Sequence, residues 1–156
     1  YIEMQPTLKA EPIDPIVIIS EQPLEETVSA VEIEEYVEDT LLPQEDIELI
    51  ALVTMAEAEG ECEEGKRLVI DTILNRVDSV YFPDTVHGVI YQANQFSSMR
   101  NGRVDKCFVD DDICQLVEEE LQSRTNVDTI FFTAGGYGKY GTPMFQVGNH
   151  YFSSYE

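Results

Sequence analysis

The sequence predicts an α+β domain, mainly helical, with a small antiparallel sheet near its C-terminus. Three observations carry this. Apolar residues recur at helical spacing in several segments between Glu45 and Leu121. Two β-prone runs, 129–133 and 145–152, flank a loop whose glycine content excludes a regular element. All nine glycines lie from Gly60 onward, whereas five of the seven prolines lie at or before Pro43.

Each element has its own signal. Ile47, Ile50, Val53 and Glu57 follow helical spacing from Glu45, with Leu49, Leu52 and Ala56 widening the stripe, and Gly60 ends that helix. Glu63 to Val77 is a second helix, with Val69, Ile70, Ile73, Leu74 and Val77 on one face. Pro83 breaks the chain, and Asp84 or Thr85 can cap a short third helix towards Tyr91. Asp111 or Asp112 opens a fourth, with Ile113, Leu116, Val117 and Leu121 as its stripe. Thr129 to Thr133 is expected as a strand, the loop runs from Gly135 to Gly141, and Phe145 to Phe152 is expected as one closing strand broken at Gly148.

Charge sets a boundary and excludes partners. The 156 residues hold 31 acids and 9 bases, a net of -22. Residues 1–48 contribute 14 acids and one base, Lys9, and residues 49–156 the remaining 17 and 8. A polyanion needs Lys and Arg for neutralisation, so nucleic acid is excluded as a partner, and so is an anionic membrane surface. No apolar run approaches the roughly 20 residues of a membrane span, so no membrane insertion by this fragment is expected. Residues 1–44 read as an acidic, proline-containing arm or linker, and 45–156 as the domain. Ile16 to Ile19 is the apolar exception, suited to an edge strand or a docking segment. The start at Tyr1, without Met, is expected of a fragment, and it leaves open whether an upstream signal peptide or anchor was removed.

Cofactor signals are absent. Cys62, Cys107 and Cys114 form no Cys-x-x-Cys pair, and ordinary thiols are expected. Asp110, Asp111 and Asp112 lack the alternating ligands and glycine of a calcium loop and suit a helix N-terminus. No metal and no cofactor are expected.

The chemical clue is the end of the first helix. Glu57 lies four residues after Val53 and seven after Ile50, on the core-facing stripe. Glu59 and Glu61 point elsewhere, because residues two apart diverge by about 200°. A carboxyl on an apolar stripe loses solvation, which favours the protonated form that a general acid needs. The pattern alone also admits a boundary glutamate whose head reaches solvent.

Five segments in order add to this: Ala56 to Glu61, Glu64-Gly65 with Ile73 to Val77, Phe82 to Val86 with Gly88 to Gln92, Gln95-Phe96-Ser97, and Val147 to Phe152. Together they resemble the bacterial cell wall hydrolase family of spore cortex-lytic enzymes, the SleB/CwlJ type, over about residues 47 to 152. Three departures stand out: Glu59 where that family usually has Arg, a short glycine-rich stretch after Phe132, and an arm matching no peptidoglycan-binding repeat.

The resemblance implies a lysozyme-like, lytic-transglycosylase-like helical core and peptidoglycan glycan strands as partner. It implies cleavage between N-acetylmuramic acid and N-acetylglucosamine with formation of 1,6-anhydro ends, by a protein that is extracytoplasmic and associated with the cell wall or spore cortex; a monomer is expected. Glu57 matches the family's catalytic glutamate. Gln95, Phe96 and Ser97 are expected to line the sugar groove, with Tyr91, Gln92, His150 and Tyr137 as further glycan contacts and Tyr140 beside Tyr137 in the groove wall. Asn75 and Arg76 are expected to cap and orient the loop around Glu57. A muramidase using water, with Glu61 as second carboxylate, is the alternative enzyme reading. A catalytically weak peptidoglycan-binding protein is the alternative outside catalysis, and a viral or mobile-element origin stays open.

Overall fold

The computed structural model of the protein describes residues 42–156, apart from Asn94. The arm expected at 1–44, with its Ile16 to Ile19 run, lies outside the described residues up to residue 41. Helix α1, Gln44–Ala58, follows Pro43 directly. It is buried on more than one stripe, with Ala51, Thr54, Met55 and Ala58 as enclosed as Ile47, Ile50 and Val53. That makes α1 the central helix of the domain.

Helix α2, Glu63–Asp78, packs against it and is buried at every position from Leu68 to Arg76. Helix α3, Val86–Ile90, is capped by the Thr85 hydroxyl, which accepts from the Gly88 amide at 2.9 Å. Helix α4, Asp111–Gln122, is capped by Asp110, whose carboxylate accepts from the amides of Asp112 and Ile113. Two single 3-10 turns, Ser97–Met99 and Val104–Lys106, join α3 to α4. Ile50, Val53, Ile70, Ile73, Val89, Ile90 and Val117 meet in the main core. No described helix is long and apolar enough to cross a membrane.

The sheet differs from expectation in one respect. The closing strand expected from Phe145 to Phe152, broken at Gly148, is a hairpin: β2, Thr142–Val147, and β3, His150–Ser154. With β1, Phe131–Ala134, they form an antiparallel sheet in the order β1-β3-β2. The cause is Gly148, which adopts a φ of 60° and reverses the chain. Glu61 then clamps the turn, accepting from the Asn149 amide at 3.0 Å and its side-chain amide at 3.2 Å. A Cβ on Gly148 would collide with that carboxylate.

Alternation gives the sheet two faces. Phe132, Phe145 and Phe152 face Leu68, Val69 and Ala58 in a second small core. Phe131 and Thr133, opposite Ser153 and Tyr151, face the other way.

Ionic contacts tie α2 to α4. Arg67 reaches Glu63 at 2.8 Å, Glu119 at 2.6 Å and the buried Glu120 at 2.8 Å. Glu120 also accepts from the Thr125 amide at 2.7 Å. Asp71, fully buried, accepts from the Asn126 amide through Oδ2, and its Oδ1 has no other partner. Burial pushes the Asp71 carboxyl up to about 8, and its hydrogen bond with Glu120 reinforces the shift. Burial also opposes ionisation of Glu120, but hydrogen bonds from Asp71, Thr125 and Arg67 outweigh it and hold that carboxyl low. Asp71 therefore keeps its proton at neutral pH.

The sign of the pH effect follows. Folded Asp71 keeps a proton that the unfolded chain releases near pH 4, so this group's contribution to stability falls as pH rises from about 4 to about 8. The slope for one proton is about 1.4 kcal/mol per pH unit. Asp71→Asn, which supplies a permanent donor, is expected to flatten that slope in urea unfolding measured across this range. Equal slopes in the two proteins count against a proton retained on Asp71.

Candidate active site

Glu57 stands in the last turn of α1, half-buried, at the mouth of a cavity of about 310 Å³. The cavity lies between that helix end, the segment Gln95-Phe96-Ser97 and the outer face of the sheet. Phe131, Thr133, Tyr151 and Ser153 form its far wall, with Tyr140 and Gly138 from the glycine-rich loop. Among the described residues that line it, Glu57 is the one acid and Arg76 the one base.

The Glu57 carboxylate is held from one side. The buried Ser98 hydroxyl donates to its Oε2. Arg103 ties the same end of α1 from behind, its Nε donating to the Ala56 carbonyl. Ser98 sits in the 3-10 turn that follows Phe96. Phe96 has a φ of 47°, the one positive value at a non-glycine among the described residues. Such a conformation costs about 1–2 kcal/mol, and burial of the Phe96 ring against Phe132, 6.1 Å away, offsets it. The turn thus delivers Ser98 to the carboxylate while Gln95 and Ser97 line the cavity. Ser98→Ala is expected to lower kcat about tenfold with little change in KM, since one orienting bond is lost. Ser98→Thr restores the hydroxyl and is expected to recover most of the rate.

Arg76 organises the cavity from the core. Its Nε donates to the Ile130 carbonyl at 2.8 Å and its Nη1 to Gln95 Oε1 at 2.9 Å. Its guanidinium lies 5.1 Å from the Phe82 ring, 5.3 Å from Phe96 and 5.6 Å from Phe131. Burial lowers its pKa to about 10, which leaves it charged at neutral pH. Asn75 serves another place: it donates to the carbonyls of Asn126 and Thr129 and accepts from Arg124, pinning the approach to β1.

The other expected contacts are dispersed. Tyr91, Gln92, Tyr137 and His150 lie outside the cavity lining. Tyr91 packs on His87 with ring centroids 4.4 Å apart. Gln92 is half-buried beside it. Tyr137 rests edge-on against Tyr151 at 5.1 Å and so backs the wall. His150 is buried on the core face of β3, 5.0 Å from Phe132. Ser98, Phe131, Thr133, Tyr151 and Ser153 are the residues that sequence reasoning missed. Strand alternation, once β1 and β3 are paired, places the last four on one face; nothing in the sequence flags Ser98. Glu61 clamps the β2–β3 turn and does not line the cavity. Glu59 lines a separate depression of about 560 Å³ with Lys66 and Arg67, away from Glu57.

Residues 60–153 match the family described as Cell Wall Hydrolase, which is more than half of the chain. The chain belongs to that family. Glu57 lies just ahead of the matched span, so its place in a cell wall hydrolase rests on the geometry around it. Curated relatives are named spore cortex-lytic enzymes. The one from Oceanobacillus iheyensis is 44% identical over 61 residues, 39% of this chain and 22% of its own. The one from Bacillus subtilis is 39% identical over 59 residues, 38% and 19% of the respective chains. The match thus spans about a fifth of the length of these relatives. The fold is similar to the catalytic domain of the Bacillus cereus SleB protein, with a TM-score of 0.65, 25% identity, and coverage of 73% of this chain and 93% of that one. It is equally similar to the catalytic domain of the germination-specific lytic transglycosylase SleB from Bacillus anthracis, with a TM-score of 0.63 and 25% identity over 72% and 97%.

Proposed function

We propose that this cell wall hydrolase domain degrades peptidoglycan by cutting the glycan strand after N-acetylmuramic acid, with Glu57 as acid and then base. The observation that carries the reading is a cavity with a single oriented carboxylate, Glu57. Ordinary glycosidases need two carboxylates flanking the bond, about 5–9 Å apart, to manage a covalent intermediate or a water. One carboxylate suffices when the nucleophile is tethered to the substrate. The carboxylic acid protonates the glycosidic oxygen, and the carboxylate left behind takes the proton of the muramoyl C6 hydroxyl. That hydroxyl oxygen then bonds to C1 and closes a 1,6-anhydro ring. Intramolecular attack of this kind gains a large effective molarity.

Gln95 and Ser97 offer amide and hydroxyl groups to the sugar, and the Phe131 and Tyr151 rings offer apolar faces. The position of Glu61 weighs against the water-using alternative, since both its oxygens are engaged by Asn149. The expected location is extracytoplasmic, at the wall or spore cortex, as the names of the relatives suggest. Digestion of purified sacculi followed by mass analysis tests the reaction. Anhydro ends, one water lighter than hydrolysed ends, are the expected product. Hydrolysed ends alone would replace this reading by a muramidase.

A further inference from the structure

Outside the cavity, the aromatic surface continues. Tyr81 and Tyr155 stack face to face, with ring centroids 4.4 Å apart and planes within 4° of parallel. They are 64% and 40% exposed. The Tyr155 ring lies 6.3 Å from Phe131 in a near-parallel arrangement, and Phe131 lies 6.1 Å from Tyr140, itself 62% exposed. Phe131 and Tyr140 line the Glu57 cavity. An unbroken row of rings therefore leads from the cavity wall to open solvent.

Two features show that the row is built. Gly141, at a φ of 78°, lets the start of β2 pass so close to Phe131 that a Cβ would fall 2.7 Å from that ring. Phe82 stands edge-on to both Phe131 and Tyr155 and sits over the Arg76 guanidinium, which fixes the inner end of the row. An exposed aromatic surface of this kind marks an interaction site.

We propose that Tyr81 and Tyr155 form a distal sugar-stacking subsite that holds the peptidoglycan strand beyond the bond being cut. This rests on the glycan-strand reading of the cavity. A pyranose has an apolar C–H face that packs on a ring while its hydroxyls stay in water, and a tyrosine supplies both a face and a hydroxyl. Charge supplies no attraction for this occupant, which leaves its retention to uncharged contacts. Residues 49–156 carry 17 acids against 8 bases, so a wall polymer with carboxylates on its peptide stems is repelled at long range. Uncharged stacking contacts are the means by which this domain retains such a polymer.

Sedimentation with purified sacculi tests the proposal, using a Glu57→Gln background so that strands stay intact. Tyr81→Ala with Tyr155→Ala is expected to bind about tenfold more weakly, the loss of two aromatic contacts. The paired Tyr→Phe variant keeps both faces and is expected to bind as the parent does. Binding of the parent is expected to persist at about 0.5 M salt, where like charges are screened to a few ångströms. In the Glu57 form, the Ala pair is expected to release fragments from sacculi about tenfold more slowly at low substrate and to cut short soluble strands at the unaltered rate. Unchanged sacculus binding by the Ala pair overturns the subsite while leaving the Glu57 reading intact. Equal weakening in the Phe pair overturns stacking as its basis. Reduced self-association with unchanged sacculus binding reassigns the rings to a contact between copies. Failure of the unmodified protein to bind and cut sacculi at all removes both readings together.

Discussion

Glu57→Gln is expected to leave the fold intact and to slow fragment release from purified sacculi by about 10²–10⁴-fold, the contribution of a positioned acid–base group. The amide is nearly isosteric with the carboxyl and still offers an oxygen to the Ser98 hydroxyl. Glu57 is half-buried at a cavity mouth and makes no ion pair among the described residues, so its loss removes little stability. The Gln amide cannot give up or take a proton at neutral pH, and both halves of the proposed reaction need that. Turbidity loss of sacculi and soluble muropeptide yield measure the rate, and thermal unfolding checks the fold. Full activity in a folded Gln variant would move the chemistry to another residue. With Arg76 as the other charge in the cavity, no second acid stands ready to substitute.

Arg76→Lys is the second large effect. Lysine keeps the charge but loses the planar fork, so it cannot serve Ile130 and Gln95 together while lying over three rings. Stability is expected to fall by about 2–4 kcal/mol, as for a broken buried polar network. Turnover is expected to fall as well, because Gln95 loses the donor that fixes its amide in the cavity. Urea unfolding reads the first effect and KM against kcat the second. A rise in KM larger than the fall in kcat identifies Gln95 as a sugar contact; a Lys variant with wild-type stability and kinetics removes Arg76 from the role assigned to it.

The helices were legible because their apolar spacing is regular and their caps are chemically distinct. Thr85 and the aspartates before Ile113 could be read as N-terminal signals directly. The single apolar stripe assigned to α1 was too narrow, since small residues such as Ala51 and Ala58 become core when other elements cover them on all sides. The hairpin was half legible: Gly148-Asn149 marks a break within Phe145 to Phe152, but only the φ of Gly148 shows that the chain reverses there. In the site, Glu57, Gln95, Phe96 and Ser97 come together as a continuous lining. Ser98 was illegible, because a lone serine in a 3-10 turn carries no pattern and its partner lies 41 residues away. His150 shows the converse: a motif residue beside the turn, it points into a cluster of rings by strand alternation.

The clamp of Glu61 on Asn149 joins positions 88 apart in sequence. Closing so long a loop is entropically costly and slows the step that completes the sheet. The helix that carries Glu57 forms from local contacts near the start of the domain, whereas Tyr151 and Ser153 of the cavity wall belong to its last strand. The cleft beside Glu57 is therefore complete only when the final strand is paired, and a chain ending short of that strand would keep the carboxylate without the wall it faces.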